Sequence, residues 1–126
     1  MALSKFKVTP AVAVSDMAKA KEFYEGKLGL SDGEDISDGG HTYPAGESTS
    51  IHIYPSSDAG ESGATLCFFD VDDVEKVVDE LSSNGVTFEQ YDIEGLKTNE
   101  KGIAEFEGDK VAWFKDQDGN ILAVGD

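Results

Sequence analysis

The sequence predicts an α+β fold in which one domain, residues 1–126, contains two βαβββ modules. The first observation is a repeat: a strand that ends in Val-Ser-Asp or Val-Asp-Asp is followed by a helical pattern and a glycine, with Asp16 and Asp73 57 residues apart. The second is a stretch at 56–63 that is rich in Ser, Gly and acidic residues and is typical of an exposed linker. We therefore predict a first module at about 6–55 and a second at about 64–126.

The first strand and helix follow from local patterns. Residues 6–14 are β-branched and alternating, which predicts a strand, and Pro10 within it indicates an edge position or a bulge. Ser15 and Asp16 are suited to cap a helix, because their side chains can accept from free amides of the first turn. Apolar residues then recur at helical spacing through Leu28, and Gly29 or Gly26 suits the helix exit.

The second helix is predicted by a capping box of Asp72 with Glu75, an apolar stripe through Leu81 and a stop at Asn84-Gly85. The remaining segments are predicted from alternation and turn residues: strands at 30–36, 41–45, 50–54, 65–71, 86–91 and 103–106, a loop at 94–102, and a hairpin at 111–124.

The residues 116–120, Asp-Gln-Asp-Gly-Asn, are turn formers between two apolar runs. This hairpin, together with residues 12–30 (Val-Ala-Val-Ser-Asp … Glu-Phe-Tyr-Glu-Gly-Lys-Leu-Gly-Leu), resembles the vicinal oxygen chelate superfamily of glyoxalases, bleomycin resistance proteins and dioxygenases. The chain departs from that pattern at Gln117, which replaces a proline, and at Ala123, which replaces a glutamate. The resemblance implies two modules whose mixed sheets curl around a cleft, usually in a homodimer.

In the metal-using members that this chain resembles, four ligands come from the first and last strands of the modules. The matching positions are Thr9, His52, Leu66 and Ala123, of which only His52 is a competent ligand. A transition metal usually needs at least three protein ligands. We therefore predict no bound metal and no cofactor.

Alternation, read with the resemblance, places a set of small and aromatic side chains on the concave side of the sheets. Small residues on one wall and aromatics on the other would form a slot, whereas the alternative is that the aromatics pack on one another and close it. The predicted ligand-binding residues are Thr9, Tyr43, His52, Tyr54, Leu66, Phe68, Trp113 and Ala123.

The leading functional hypothesis is a non-metal small-molecule binding protein of the glyoxalase/bleomycin-resistance type that sequesters an aromatic or cationic compound. One alternative is a lyase or isomerase that uses His52 or a tyrosine as acid and base. Another is a subunit whose partner is a second protein. No residue is assigned as catalytic, and His52 is the one candidate.

The charge and composition of the chain limit the kinds of molecule and compartment that we expect for it. The chain has 26 acidic residues against 10 basic ones, all Lys, and a net charge of −16, which argues against nucleic-acid binding. The acidity either attracts a cationic ligand or serves solubility or a salty habitat. No apolar run approaches a membrane span. A single cysteine, Cys67, and the lack of an apolar leader favour a cytoplasmic location.

Overall fold

The computed structural model describes residues 3–126 and contains two helical regions and two four-stranded sheets. Helix α1 (Met17–Lys21) continues as a π-helical segment (Glu22–Lys27), and α2 spans Val74–Ser83. The strands are β1 (Ala11–Val14), β2 (Glu34–Asp35), β3 (His41–Ala45), β4 (Thr49–Pro55), β5 (Thr65–Asp70), β6 (Asp92–Ile93), β7 (Leu96–Lys97), β8 (Ile103–Phe106), β9 (Asp109–Lys115) and β10 (Ile121–Gly125). The predicted α+β class is confirmed.

The two large sheets share one strand order. The first runs β1-β4-β3-β2, with β1 parallel to β4, and the second runs β5-β10-β9-β8, with β5 parallel to β10. In each sheet the helix follows the outer parallel strand, so each sheet is one βαβββ unit. We call β1–α1–β2–β3–β4 the first unit and β5–α2–β8–β9–β10 the second unit. Strands β6 and β7 form a separate small hairpin.

The first strand is shorter than predicted. It begins at Ala11, after Pro10, because a proline has no N–H to donate to a ladder. The alternation placed Val8 on the same face as Val12, but Val8 is 86% exposed and Val12 is fully buried. The predicted strand at 30–36 is likewise reduced to Glu34–Asp35.

The observed N-terminal cap is the predicted residue in α1 and lies one residue later than predicted in α2. Asp16 caps α1 by accepting from two amides of the first turn, and Gly29 leaves the helical region at φ +79°. In α2 the predicted capping box of Asp72 is wrong. The cap is Asp73, which has extended backbone and accepts from the amide of Lys76, 3.1 Å away.

The predicted strand at 86–91 is also wrong. Within it only Phe88 forms a bridge, to Phe114, and the amide of Glu89 donates to the carbonyl of Trp113. The reason is that β8 already pairs with residues 109–112 of β9. Only the last three residues of β9 therefore remain free to pair on that edge. The predicted loop at 94–102 contains β7 of the small hairpin.

One apolar core joins the two units. Both helices and the core-facing residues of both sheets contribute to it, and Phe114 is at its centre, fully buried between the rings of Phe23 and Phe88. The opposite face of each sheet points away from this core, because side chains alternate along a strand. No helix in the described range 3–126 is long and apolar enough to span a membrane.

Candidate functional site

The outward face of the first sheet carries a hydrogen-bonded histidine. His52 on β4 lies opposite Thr42 on β3, and its Nδ1 is 2.8 Å from Thr42 Oγ1. Its Nε2 is 2.8 Å from Asp38 Oδ2, and the ring of Tyr54 lies nearly parallel to the imidazole at 6.0 Å. Both ring nitrogens are therefore engaged. The hydrogen bond with His52 also lowers the pKa of Asp38 below its usual value.

Tyr43, one of the predicted ligand-binding residues, is not on this face. It pairs with Ile51, so alternation turns it toward the core, where it is fully buried. Its hydroxyl donates to Glu25 Oε2 over 2.7 Å, and burial together with that carboxylate raises its pKa. The placement of Tyr43 in the cleft is thus wrong, and the side chain joins β3 to the helical region instead.

The outward face of the second sheet carries a row of apolar side chains. Ala123 on β10 is in register with Phe68 on β5 and Trp113 on β9, so the two aromatics flank it. Two strand spacings separate them at the backbone, about 10 Å. Phe68 is 50% exposed and neighbouring Leu66 is 37% exposed, whereas Ala123 is fully buried. The floor between the aromatics is therefore covered, and the exposed apolar surface lies on the β5 side.

Both aromatics of this row are held by contacts of their own. The Trp113 ring is half-buried and meets the Tyr91 ring edge-on, with centroids 5.7 Å apart. The Phe68 ring crosses the backbone of Gly125 so closely that a Cβ there would collide with it. Each ring is thus positioned before any ligand arrives.

A cavity of about 400 Å³ opens beside Phe68, and its volume falls in the usual range for small-molecule sites. Its other walls are the N-terminal residues Val8 and Pro10, the β3–β4 hairpin at 45–51 and the rest of β5 from Cys67 to Asp70. Burial, followed by the nearby carboxylate of Asp116, raises the pKa of Cys67 to about 11. The thiol is therefore protonated at neutral pH and is a poor nucleophile. Of the predicted ligand-binding residues, Phe68 lines this cavity, and Thr9 is an exposed residue between Val8 and Pro10.

The four family ligand positions do not fit a metal ion. Leu66 and Ala123 have no donor atoms, and the two nitrogens of His52 are already bound to Thr42 and Asp38. Within residues 3–126 no three His, Cys, Asp or Glu side chains come together as a metal-binding group.

We expect elemental analysis of protein purified without chelator to find far less than one transition metal ion per chain. The reason is that one free donor at most is available where three are needed. About one Zn, Ni, Mn or Fe per chain would contradict this expectation. The control is the same measurement after dialysis against excess Zn²⁺, which reports weak surface binding.

The turn at 116–120 is a buried polar junction that the sequence did not reveal. Asp116 is 6% exposed and accepts from the hydroxyl of Tyr24 at 2.7 Å and from the side-chain amide of Asn120 at 2.9 Å. Asn120 also donates to the carbonyl of Ala13 and accepts from the amide of Gly60. The turn thus joins the second unit to the first strand, to the π-helical segment that follows α1 and to the segment between the units. The one available signal was a tyrosine hydroxyl in the apolar stripe of the first helix.

Ser15 also forms hydrogen bonds with this turn. Its amide and its hydroxyl donate to the two carboxylate oxygens of Asp118, at 3.0 and 2.5 Å. Burial alone would raise the pKa of Asp118, but these bonds and one from Gln117 lower it overall.

The fold agrees with the comparisons to known proteins. Residues 8–124 match the family model described as the Glyoxalase/Bleomycin resistance protein/Dioxygenase superfamily, and the chain belongs to this family. No curated protein matches the chain.

Solved structures of the same architecture include TnmS3, an antibiotic binding protein from Streptomyces sp. CB03234. It is 25% identical, with a TM-score of 0.72 over 98% of this chain and 96% of that one. A glyoxalase/bleomycin resistance protein from the same Streptomyces is 24% identical, with a TM-score of 0.70 over 94% and 97% of the two chains. A glyoxalase/bleomycin resistance protein from Catenulispora Acidiphila is 20% identical, with a TM-score of 0.69 over 95% and 96%. Those two likenesses carry the fold alone.

Proposed function

We propose that this protein binds a small aromatic or cationic molecule on its outward sheet faces, without a metal, and acts by sequestering it. The observation that carries the proposal is the half-exposed Phe68 ring between a cavity of about 400 Å³ and the Ala123–Trp113 row. A planar ligand in that cavity can lie against Phe68 and bury apolar surface at once. The similarity to TnmS3, an antibiotic binding protein, supports the same class of function.

Charge favours a cationic ligand. Glu47 and Asp70 line the cavity beside Phe68, and the chain carries a net charge of −16 with no arginine. A cation over an aromatic face gains about 0.5–2 kcal/mol, depending on how fully it is desolvated. The surrounding negative field adds to its rate of association at low salt.

We expect cationic polycyclic dyes to quench Trp113 fluorescence saturably and neutral dyes of the same shape to bind less tightly. Trp113 is the only tryptophan of the chain, so the signal reports on this face. Phe68→Leu should raise the Kd about two- to tenfold, which is the worth of one aromatic contact. A matched control is Phe106→Leu, since Phe106 is a similarly exposed ring at 42% on β8.

If no dye changes the Trp113 signal or the melting temperature, the sequestration proposal fails. If Phe106→Leu weakens binding as much as Phe68→Leu, the ligand is not bound where we place it. Turnover of the bound compound would favour the enzyme alternative instead.

We further propose that the protein is a homodimer in solution. Leu3, Phe6 and Val8 are three apolar side chains of an N-terminal segment that also carries two lysines. Each of the three is at least 69% exposed in the single chain. Such surface is usually covered by a partner. Two chains of charge −16 repel each other, so association should tighten as salt is raised. Light scattering that gives the 13.5 kDa monomer mass at both low and high salt would contradict this.

A further inference from the structure

Thr42, His52 and Asp38 form one continuous chain of hydrogen bonds, with 2.8 Å at each of its two links. The carboxylate of Asp38 determines which groups donate and which accept in this series of hydrogen bonds. An ionised carboxylate only accepts, so Asp38 holds the proton of neutral His52 on Nε2 and leaves Nδ1 as an acceptor. The Thr42 hydroxyl therefore donates to Nδ1, which is the relation of a nucleophile to its base.

The three hydrogen-bonded side chains are held in place before any substrate binds. The amide of Gly40 donates to the other oxygen of Asp38 over 2.8 Å and so orients that carboxylate. Any side chain at Gly40 would collide with the carbonyl of Ile53 and would place a Cβ 2.8 Å from His52 Cε1. The base is thus oriented by a third group, as nucleophilic catalysis requires.

Thr42 also lines an open cavity of about 320 Å³, which meets the one beside Phe68 at residues 47–50 of the β3–β4 hairpin. Lys7 is the cationic side chain of its lining, and a positive charge there is suited to an oxyanion. Hydroxyl groups of the β3–β4 hairpin and the three acidic residues Asp32, Glu34 and Glu47 complete most of the wall, so Lys7 is the one basic residue of this lining.

We propose that Thr42, His52 and Asp38 are a nucleophile, base and positioning residue that hydrolyse small carboxylic esters in this cavity. Thr42 Oγ1 bonds to the ester carbonyl carbon while its proton moves to His52 Nδ1. The oxyanion collapses, the bond to the alcohol oxygen breaks, and the alcohol leaves with that proton. Water then attacks the acyl-threonine, passes a proton through His52 back to Thr42, and releases the acid.

The test uses 4-nitrophenyl acetate and the full chain. We expect nitrophenolate release above the buffer rate, and an acetyl group on Thr42 in peptide mapping of protein quenched during the reaction. Thr42→Val, which keeps the shape and removes the hydroxyl, should lower the rate about 100-fold or to the buffer level. Thr42→Ser should restore it. Asp38→Asn should lower kcat with little change in KM, because Asp38 does not touch the ester.

Thr65→Val is the matched control, since Thr65 is an exposed threonine at the start of β5 and lines neither cavity. It should keep the wild-type rate. The map of the acetylated wild-type chain requires no variant to fold. An acetyl group found on Lys7 and not on Thr42, an equal loss in Thr65→Val, or no acetylation of Thr42 would each overturn the proposal. The Trp113 titration measures dye binding and the peptide map measures acetylation of Thr42, so failure of one proposal is distinguished from failure of the other.

Discussion

Replacing Asp116 with Ala is expected to lower the free energy of unfolding by about 3–5 kcal/mol, because several hydrogen-bond donors then lose their acceptor at once. The carboxylate is 6% exposed and accepts from the Tyr24 hydroxyl, from the Asn120 side chain and from the amides of Asp118 and Asn120. Without it these donors stay buried with nothing to accept them, and a hydrogen bond to a charged group is worth about 1.5–3 kcal/mol. The loss should appear in urea unfolding as a lower midpoint at unchanged slope.

Asp109→Ala is the control matched in charge, because Asp109 is an exposed residue at the start of β9. It should change stability by no more than about 0.5 kcal/mol. Tyr24→Phe removes one donor and should give an intermediate loss of about 1–3 kcal/mol. If Asp116→Ala costs no more than Asp109→Ala, the junction at the turn does not hold the two units together.

Replacing Phe114 with Ala should cost about 3–5 kcal/mol as well, for a different reason. Phe114 is fully buried, and its ring centroid lies 5.5 Å from that of Phe88 and 6.3 Å from that of Phe23. The helix of the first unit and the sheet of the second meet at this ring, so the cavity left behind cannot close without moving both. The measurement is again chemical unfolding, read by far-ultraviolet circular dichroism.

Phe106→Ala makes the same chemical change at a ring that is 42% exposed. We expect its cost to be less than half that of Phe114→Ala, since less surface is returned to water and no enclosed cavity forms. Equal costs for the two variants would show that Phe114 is not the centre of a core shared by the two units.

The parts of the fold that sequence reasoning predicted are those decided by neighbouring residues. The Asp16 cap, the exit at Gly29 and the β9–β10 hairpin each depend on a few adjacent side chains. The errors occur where the partner is distant. The length of the 86–91 strand depended on how much of the β9 edge was left unpaired. The choice between Asp72 and Asp73 as cap depended on which residue has the extended backbone that precedes the helix.

The same division applies to the candidate site. Strand alternation placed Phe68 and Ala123 on a common face, and the family resemblance added Trp113. The pairing of β5, β10 and β9 puts the three residues in one row. Tyr43 was misplaced because its face depends on the register of β3 against β4, which no local pattern gives. Thr42 was not singled out at all. It meets His52 only through that register, and Asp38 reaches the histidine from a loop.

The junction at the turn also dictates the order in which the protein can fold. Its bonds join Ser15 to Asp118 across 103 residues and Ala13 to Asn120 across 107, and contacts of such separation form late because long loops must close first. A ribosome adds about 5–20 residues per second, so the first unit, complete at Pro55, waits about 3 to 13 seconds for Asn120. During that interval the Tyr24 hydroxyl and the Ala13 carbonyl have only water as partners. The nascent first unit is therefore incomplete until the 116–120 turn of the second unit has been synthesised.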